Sequence, residues 1–229
     1  MNKFYRKFNL VTNFLLWPFY LRWVYGKTLQ DSLNFNVPTI KMRKNTTCLL
    51  CGVSGEITAN EFIKFVLKNN YDCRIIIIDL GQEQIESVKR LVKEKYPGAN
   101  IFVKQANALK LEFIKDKSID WIDTDGFFSF FNDRQLQMLF AEWKRILKND
   151  GFITFRELIS GGLFFTLANK LRAYVAKLYM GIVLNLHNTE ELEQNIKQVG
   201  FKSSHSISPI PLLKRYCLIN INRSISIQT

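Results

Sequence analysis

Along the middle of the chain, apolar residues alternate between two rhythms. Short continuous runs read as buried strands: TTCLLCG (Thr46 to Gly52), CRIIIIDL (Cys73 to Leu80), SIDWIDTD (Ser118 to Asp125) and GFITFREL (Gly151 to Leu158). ANIFVKQANAL (Ala99 to Leu109) adds a strand with its outgoing loop. Between them, apolar positions return every three or four residues, the mark of amphipathic helices. In EITANEFIKFVLKNN these are Ile57, Phe62, Phe65, Val66 and Leu67. In QEQIESVKRLVKEKYPG they are Ile85, Val88, Leu91 and Val92, and Pro97-Gly98 stops the helix. A third helix is expected over Asp133 to Leu147, followed by a turn at Lys148 to Gly151. Strands that alternate with helices predict an α/β fold, with a parallel sheet covered on both faces.

After Leu158 the pattern changes. Ser160 to Leu184 is apolar and helical with no strand before it, so it reads as an insertion over the sheet edge. Asn188-Thr189-Glu190-Glu191 has the form of a helix start, with Asn188 as N-cap and Glu191 reaching back. That helix ends at Gly200, and KSSHSIS and RYCLINI read as two final strands. The N-terminal stretch FNLVTNFLLWPFYL (Phe8 to Leu21) follows Lys3, Arg6 and Lys7. Asn9, Thr12, Asn13 and Pro18 interrupt it, no small-residue cleavage site follows, and it is too short to span a bilayer. It is expected to form one or two amphipathic helices, packed on the domain or touching a membrane surface.

Composition narrows the partners only partly. The 229 residues suit one domain with an added cap, and 47% apolar residues can fill a sizeable core. The formal charge of +12 is compatible with nucleic acid, a membrane or an anionic ligand, but the basic residues are scattered and form no block. Cys48, Cys51, Cys73 and Cys217 are expected as free thiols in a reducing, cytoplasmic setting. Cys48 and Cys51 have no second Cys/His pair at matching spacing, and His187 and His205 are far from both, so no metal site is expected.

In an open α/β sheet, ligands bind beyond the carboxyl ends of the strands. Here those ends supply Gly52-Val53-Ser54-Gly55, Asp79, Asn107-Ala108, Thr124-Asp125-Gly126 and Arg156-Glu157. The acid of a dinucleotide site is present, but its G-x-G-x-x-G is not, and there is no phosphate-binding G-x-x-x-x-G-K-[ST] loop. Small residues with little phosphate-binding character suit a ligand without phosphate, whose ribose hydroxyls Asp79 could hold. Each residue also has a plainer reading. Gly52 and Gly55 could make only a strand-to-helix turn, Asp79 could cap the next helix, and Glu157 could pair with a surface lysine.

Taken together, the first strand with its glycine loop, IIIIDL, and the stretch from IDWIDTDGFF to WKRILKNDGFITFREL resemble the class I S-adenosylmethionine-dependent methyltransferases, over about Thr46 to Leu158. WKRILKNDGFITF is the most specific part, similar to the family's R-x-L-K-P-G-G with Asn149-Asp150 in place of Pro-Gly. The resemblance implies a Rossmann-like seven-stranded sheet, mostly parallel with an antiparallel C-terminal strand and helices on both faces. It would comprise residues 41–229 with a helical insertion at about 160–184, under a helical N-terminal cap of residues 1–40. It also implies S-adenosyl-L-methionine as cofactor. The loop Gly52, Val53, Ser54 and Gly55 would pass under its methionine portion, and Asp79 would hold the ribose. Leu80 would lie against adenine, with Asn107 and Ala108 near the adenine amino group. Thr124 and Asp125 would border the cofactor's amino acid and the substrate. The chain departs from the family in the opening loop: Leu49 or Leu50 stands where an acid is usual, and Cys51 and Val53 compete for glycine positions.

A hydroxyl acceptor needs a base, and the candidates are Asp125 and Glu157, with Tyr20 and Tyr25 as lid groups. The N-terminal helices and the 160–184 insertion are expected to close over the pocket. Thr124-Asp125-Gly126-Phe127 stands where adenine-modifying relatives carry Asn/Asp-Pro-Pro-aromatic, which argues against nucleic acid. The aromatic caps favour a small molecule or lipid acceptor. Two alternatives keep the cofactor: use of its aminobutyryl group in an azetidine-forming cyclase or lyase, and a non-catalytic cofactor-binding partner protein.

Overall fold

The computed structural model describes residues 45–53, 55–69, 72–158, 163–181, 183–210 and 213–223, together with Phe19 and Trp23. Five strands run parallel in the order β3-β2-β1-β4-β5: β1 (Thr47–Cys51), β2 (Arg74–Asp79), β3 (Ile101–Gln105), β4 (Ile119–Asp125) and β5 (Leu147–Leu158). β7 (Leu213–Arg223) lies antiparallel to β5, and β6 (Phe201–Ile210) pairs antiparallel with β7 at the far edge. The helices are α1 (Glu56–Asn69), α2 (Gln82–Lys95), α3 (Asp133–Ile146), α4 (Leu163–Met180) and α5 (Thr189–Gln198). The α/β, Rossmann-like expectation is met.

The isoleucine run explains the position of β2. Ile75 to Ile78 are buried on both faces, which only an interior strand covered on both sides allows. Its inner neighbour β1 is equally buried and sits between β2 and β4 in register, with Cys51 opposite Ile78 and Leu50 opposite Asp123. Alternation along β1 divides the core. Leu49 and Cys51 join Ile122, Phe155 and the α3 residues Phe140 and Trp143 on one face. Cys48 and Leu50 join Trp121 and the α1 residues Phe62 and Ile63 on the other. Cys48 and Cys51 are therefore strand residues on opposite faces of the sheet, a placement in which they cannot share a ligand. Burial pushes the Cys51 thiol well up, so it behaves as a core residue.

Two helix starts are fixed by reciprocal caps. The Asn188 side chain accepts from Glu191 N at 2.8 Å while Asn188 N donates to Glu191 Oε2 at 3.1 Å. Asn132 and Gln135 repeat the motif at α3, where no cap was foreseen. The expected turn at Lys148 to Gly151 is instead part of β5. Leu147 pairs with Ile119, and the register then shifts so that Trp121 pairs with Phe152. Lys148 holds this irregularity through its Nζ, 2.7 Å from Asp120 Oδ1. Of the expected N-terminal cap, only Phe19 and Trp23 fall within the described residues; both are helical and exposed.

Candidate active site

The carboxyl ends of β1, β2 and β4 converge on one edge. Past β1 the chain turns through Gly52, whose φ of +76° is a left-handed conformation. Its N–H donates to Ile78 O at 2.9 Å, which ties the turn to β2. Asp79 then closes the gap. Its Oδ2 accepts from Val53 N at 2.7 Å, and its Oδ1 accepts from Gly81 N at 2.6 Å at the head of α2. The acid and the glycine turn are thus in direct contact. Burial pushes the Asp79 carboxyl up, opposed by the backbone N–H groups of Gly81, Val53 and Leu80.

Among the described residues, the surface beside Asp79 is open. Leu80 is 71% exposed although it follows the buried isoleucine run of β2. Its carbonyl accepts from Gln105 Nε2 at 2.9 Å, so its backbone is held while its side chain stays free. Asn107 is exposed and uses its Oδ1 to accept from Leu109 N at 3.0 Å; Ala108 beside it is buried. Gly55 faces open space, with no atom within 4 Å of where a Cβ would lie. At Gly52, by contrast, a Cβ would come within 2.7 Å of Phe127 Cε2. Phe127 therefore occupies the space directly over Gly52, and the accessible part of the loop is at Gly55.

The β4 end divides its residues between structure and site. Thr124 is buried and its Oγ1 donates to Cys51 O at 2.7 Å, locking β4 to β1. Glu157 is buried as well, and its Oε2 accepts from Phe128 N at 2.9 Å, which fixes the 3-10 turn Phe128–Phe130. In both residues these bonds commit one side-chain oxygen to the scaffold. Asp125 differs. Its Oδ1 is shielded from solvent with no hydrogen-bond partner among the described residues, and it lies 4.0 Å from Arg156 Nε. Burial pushes this carboxyl up to about 6, Arg156 pulls it down and Asp123 pushes it further up.

Beneath Asp125 lies an arrangement that sequence reasoning missed. Arg156 is fully buried in β5 and grips Asp123 with two parallel bonds, Nη1 to Oδ1 at 2.7 Å and Nη2 to Oδ2 at 2.8 Å. Thr154 donates to Asp123 Oδ1 at 2.6 Å and accepts from Trp121 Nε1 at 2.8 Å. The signal was available. An arginine inside an apolar strand requires a carboxylate, and IDWIDTD offers two on one face at i, i+2. Tyr20, Tyr25 and Ser54 lie outside the described residues. His187 is placed at the start of α5, with Nε2 2.9 Å from Phe131 O, away from Asp125 in sequence and role.

Residues 59–151 match the family described as Methyltransferase domain. The fold is that of solved SAM-dependent methyltransferases, and the matched stretch is similar to a methyltransferase domain; such a domain implies S-adenosylmethionine as cofactor. The fold is similar to a SAM-dependent methyltransferase from Methanosarcina mazei (13% identity, 80% of this chain and 95% of that one, TM-score 0.60). It is also similar to geranyl diphosphate C-methyltransferase from Streptomyces coelicolor A3(2), solved with Mg2+, geranyl diphosphate and S-adenosyl-L-homocysteine (13%, 89% and 81%, TM-score 0.66). A geranyl diphosphate methyltransferase in complex with SAM is a further neighbour (14%, 87% and 84%, TM-score 0.63). No curated protein sequence matches the chain.

The residues present fit this cofactor. A carboxylate offers about four acceptor sites, and the N–H groups of Val53 and Gly81 take two, which leaves capacity for ribose hydroxyls. The exposed Leu80 can lie against a flat base, and the open face of Gly55 admits a chain at backbone distance.

Proposed function

We propose that this protein transfers a methyl group from S-adenosylmethionine to a small, largely apolar acceptor. The observation that carries the reading is the direct bond between Asp79 and Val53 N, which sets a strand-end carboxylate against a tight glycine turn beside an exposed leucine. In this reading Asp79 receives the ribose hydroxyls, Leu80 covers one face of adenine, and Asn107 and Ala108 border its edge. The methionine portion runs along Gly55, because Phe127 covers Gly52. When bound, the cofactor supplies an electrophilic methyl group on a sulfonium.

The chain's own residues then orient the acceptor and take its proton. Asp125 is the base in this proposal. Its carboxyl stands at the β4 end, 19% exposed, with the shielded Oδ1 turned toward Arg156 Nε, and it is held near pKa 6, so it is mostly ionised at neutral pH yet still basic enough to accept a proton. Arg156 fixes the local charge without neutralising it, since its two Nη groups are engaged by Asp123. Glu157 serves by holding the turn that presents the aromatic residues. Half-buried Phe127 and Phe131, stacked edge to face at 4.8 Å, and exposed Phe130 form an apolar wall suited to a carbon-rich acceptor.

Incubation with methyl-labelled S-adenosylmethionine and a panel of apolar amines, alcohols and prenyl compounds, followed by mass spectrometry, tests the reading. S-adenosylhomocysteine formed only when an acceptor is present supports it. Methylthioadenosine released without acceptor would instead assign the aminobutyryl chemistry, and tight binding of NAD with none of S-adenosylmethionine would exclude the cofactor.

A further inference from the structure

Among the described side chains of α4, the large apolar ones gather on one exposed strip. On a 3.6-residue wheel, Leu167, Leu171, Tyr174, Val175 and Leu178 fall on one strip, and Ala173 and Ala176 fall on the opposite side. Here Ala176 is buried, and Leu167, Leu171, Tyr174 and Leu178 are 60–67% exposed. Scattered exposed leucines are ordinary, but a row of four on successive turns is a patch.

Charge identifies what the patch suits. Lys170 and Lys177 are exposed and border the strip along one side. α4 contains no Asp or Glu, and its basic residues add to a chain of +12. A second copy of this helix would bring lysines against lysines. An acidic protein partner would not need so broad an apolar row. An apolar strip edged by lysines and free of carboxylates matches the boundary of an anionic bilayer, where side chains sink into the acyl region and ammonium groups meet phosphate. Phe19 and Trp23, one helical turn apart and 72% and 47% exposed, have the same character. Among the described residues no helix is long and apolar enough to cross a membrane, so contact would be peripheral.

We propose that α4 is a membrane-docking helix that seats the protein on an anionic lipid surface. Both ends of α4 lead to the sheet edge that carries the candidate site. It follows β5 after residues 159–162, and the chain leaving it is fastened where Asn185 N donates to Ser129 O at 2.7 Å. A surface that takes α4 thereby comes close to the aromatic wall.

The test is co-sedimentation of the full chain with vesicles of phosphatidylcholine alone and of phosphatidylcholine with phosphatidylglycerol, at low and high salt. Binding is expected only to the anionic vesicles and should weaken with salt. Lys170→Glu with Lys177→Glu should reduce it by about fivefold or more per lysine. Leu171→Glu with Leu178→Glu should lower it at least ~tenfold, with an unchanged melting temperature because both side chains face solvent. Three results would overturn the proposal. One is no partition onto anionic vesicles. Another is partition that survives the leucine variants and is lost with Phe19→Glu and Trp23→Glu. The third is a concentration-dependent dimer, or a lowered melting temperature, produced or abolished by the same leucine changes, since α4 would then be covered by protein.

Discussion

Replacing Asp79 tests the proposed ribose contact against the scaffold role that its carboxylate plays. Two backbone N–H groups, of Val53 and Gly81, depend on it at 2.7 and 2.6 Å. Asp79→Ala leaves both without a partner. At about 1–3 kcal/mol for each unsatisfied donor, less whatever water recovers, stability should fall by about 2–4 kcal/mol. Ribose hydroxyls would lose charge-assisted bonds in addition, and affinity for S-adenosylhomocysteine should drop by about 2–3 kcal/mol, or ~30- to 150-fold in Kd. A damaged loop alone could also weaken binding, so the decisive measurement is a cycle. Calorimetry compares S-adenosylhomocysteine with its 2′-deoxy analogue on the wild type and on Asp79→Asn, which keeps the shape and one acceptor oxygen. The wild type should lose about tenfold or more on removal of the hydroxyl, and the variant should be nearly indifferent to it. If the analogue costs the same in both proteins, Asp79 does not touch the ribose. The contact with Val53 would then be purely structural.

Three other outcomes follow from the same geometry. Gly52→Ala should cost about 2–5 kcal/mol in urea unfolding, from the left-handed φ of +76° and from overlap with the Phe127 ring; adding Phe127→Ala should recover the overlap part, and a purely additive double variant would refute the packing. Asp123→Asn should destabilise by about 3–5 kcal/mol, because it breaks a fully buried bidentate pair and strands Arg156; a change below about 1 kcal/mol in urea unfolding would contradict the burial. Asp125 has two pH signatures, both absent from Asp125→Asn. Its folded pKa of about 6 lies above the ordinary 3.8, so the native state favours the proton; stability should decline by about 3 kcal/mol as pH rises from roughly 4 to 6, while kcat/KM rises through an apparent pKa near 6. A flat wild-type rate profile over that range would remove Asp125 as the base.

What could be read in advance follows from how local each feature is. The isoleucine run of β2, the helix stops and the Asn188–Glu191 cap depend on neighbours within a few residues, and all are found as the pattern implies. Asp79 at the strand end was legible because a parallel sheet places its ligand edge there by topology alone. Features that depend on a second strand were harder. The start of β5 was hidden because Lys148 to Gly151 has turn composition, while its pairing to β4 through a bulge is a tertiary matter. Thr124 and Glu157 looked like site residues by position, yet the hydroxyl of one and a carboxylate oxygen of the other serve backbone groups that no periodicity reveals. Phe127 over Gly52 joins positions 75 residues apart, and only the approach of two loops brings them together.

The missing acid of β1 can be understood from the same arrangement. Where relatives carry an acid ahead of the glycine loop, this chain has Leu49 and Leu50, both fully buried. An ionised side chain at either place would lie in one of the two cores and cost several kcal/mol without a partner. The flanking strands supply carboxylates instead. Cys51 is level with Ile78 on β2, and Leu50 with Asp123 on β4, so the chain beyond β1 runs between Asp79 on one side and Asp125 on the other. Asp79 already grips the loop through Val53 N, and Asp125 keeps an oxygen uncommitted. The divergent loop therefore retains a negative group on each side of the path a sulfonium nucleoside would take. Loss of the usual acid is no argument against activity as long as those two carboxylates stay in place. Asp79→Asn and Asp125→Asn should then fail differently, the first in cofactor affinity and the second in turnover with affinity kept within about threefold. If both lost only affinity, the division of labour between the two strands would be wrong.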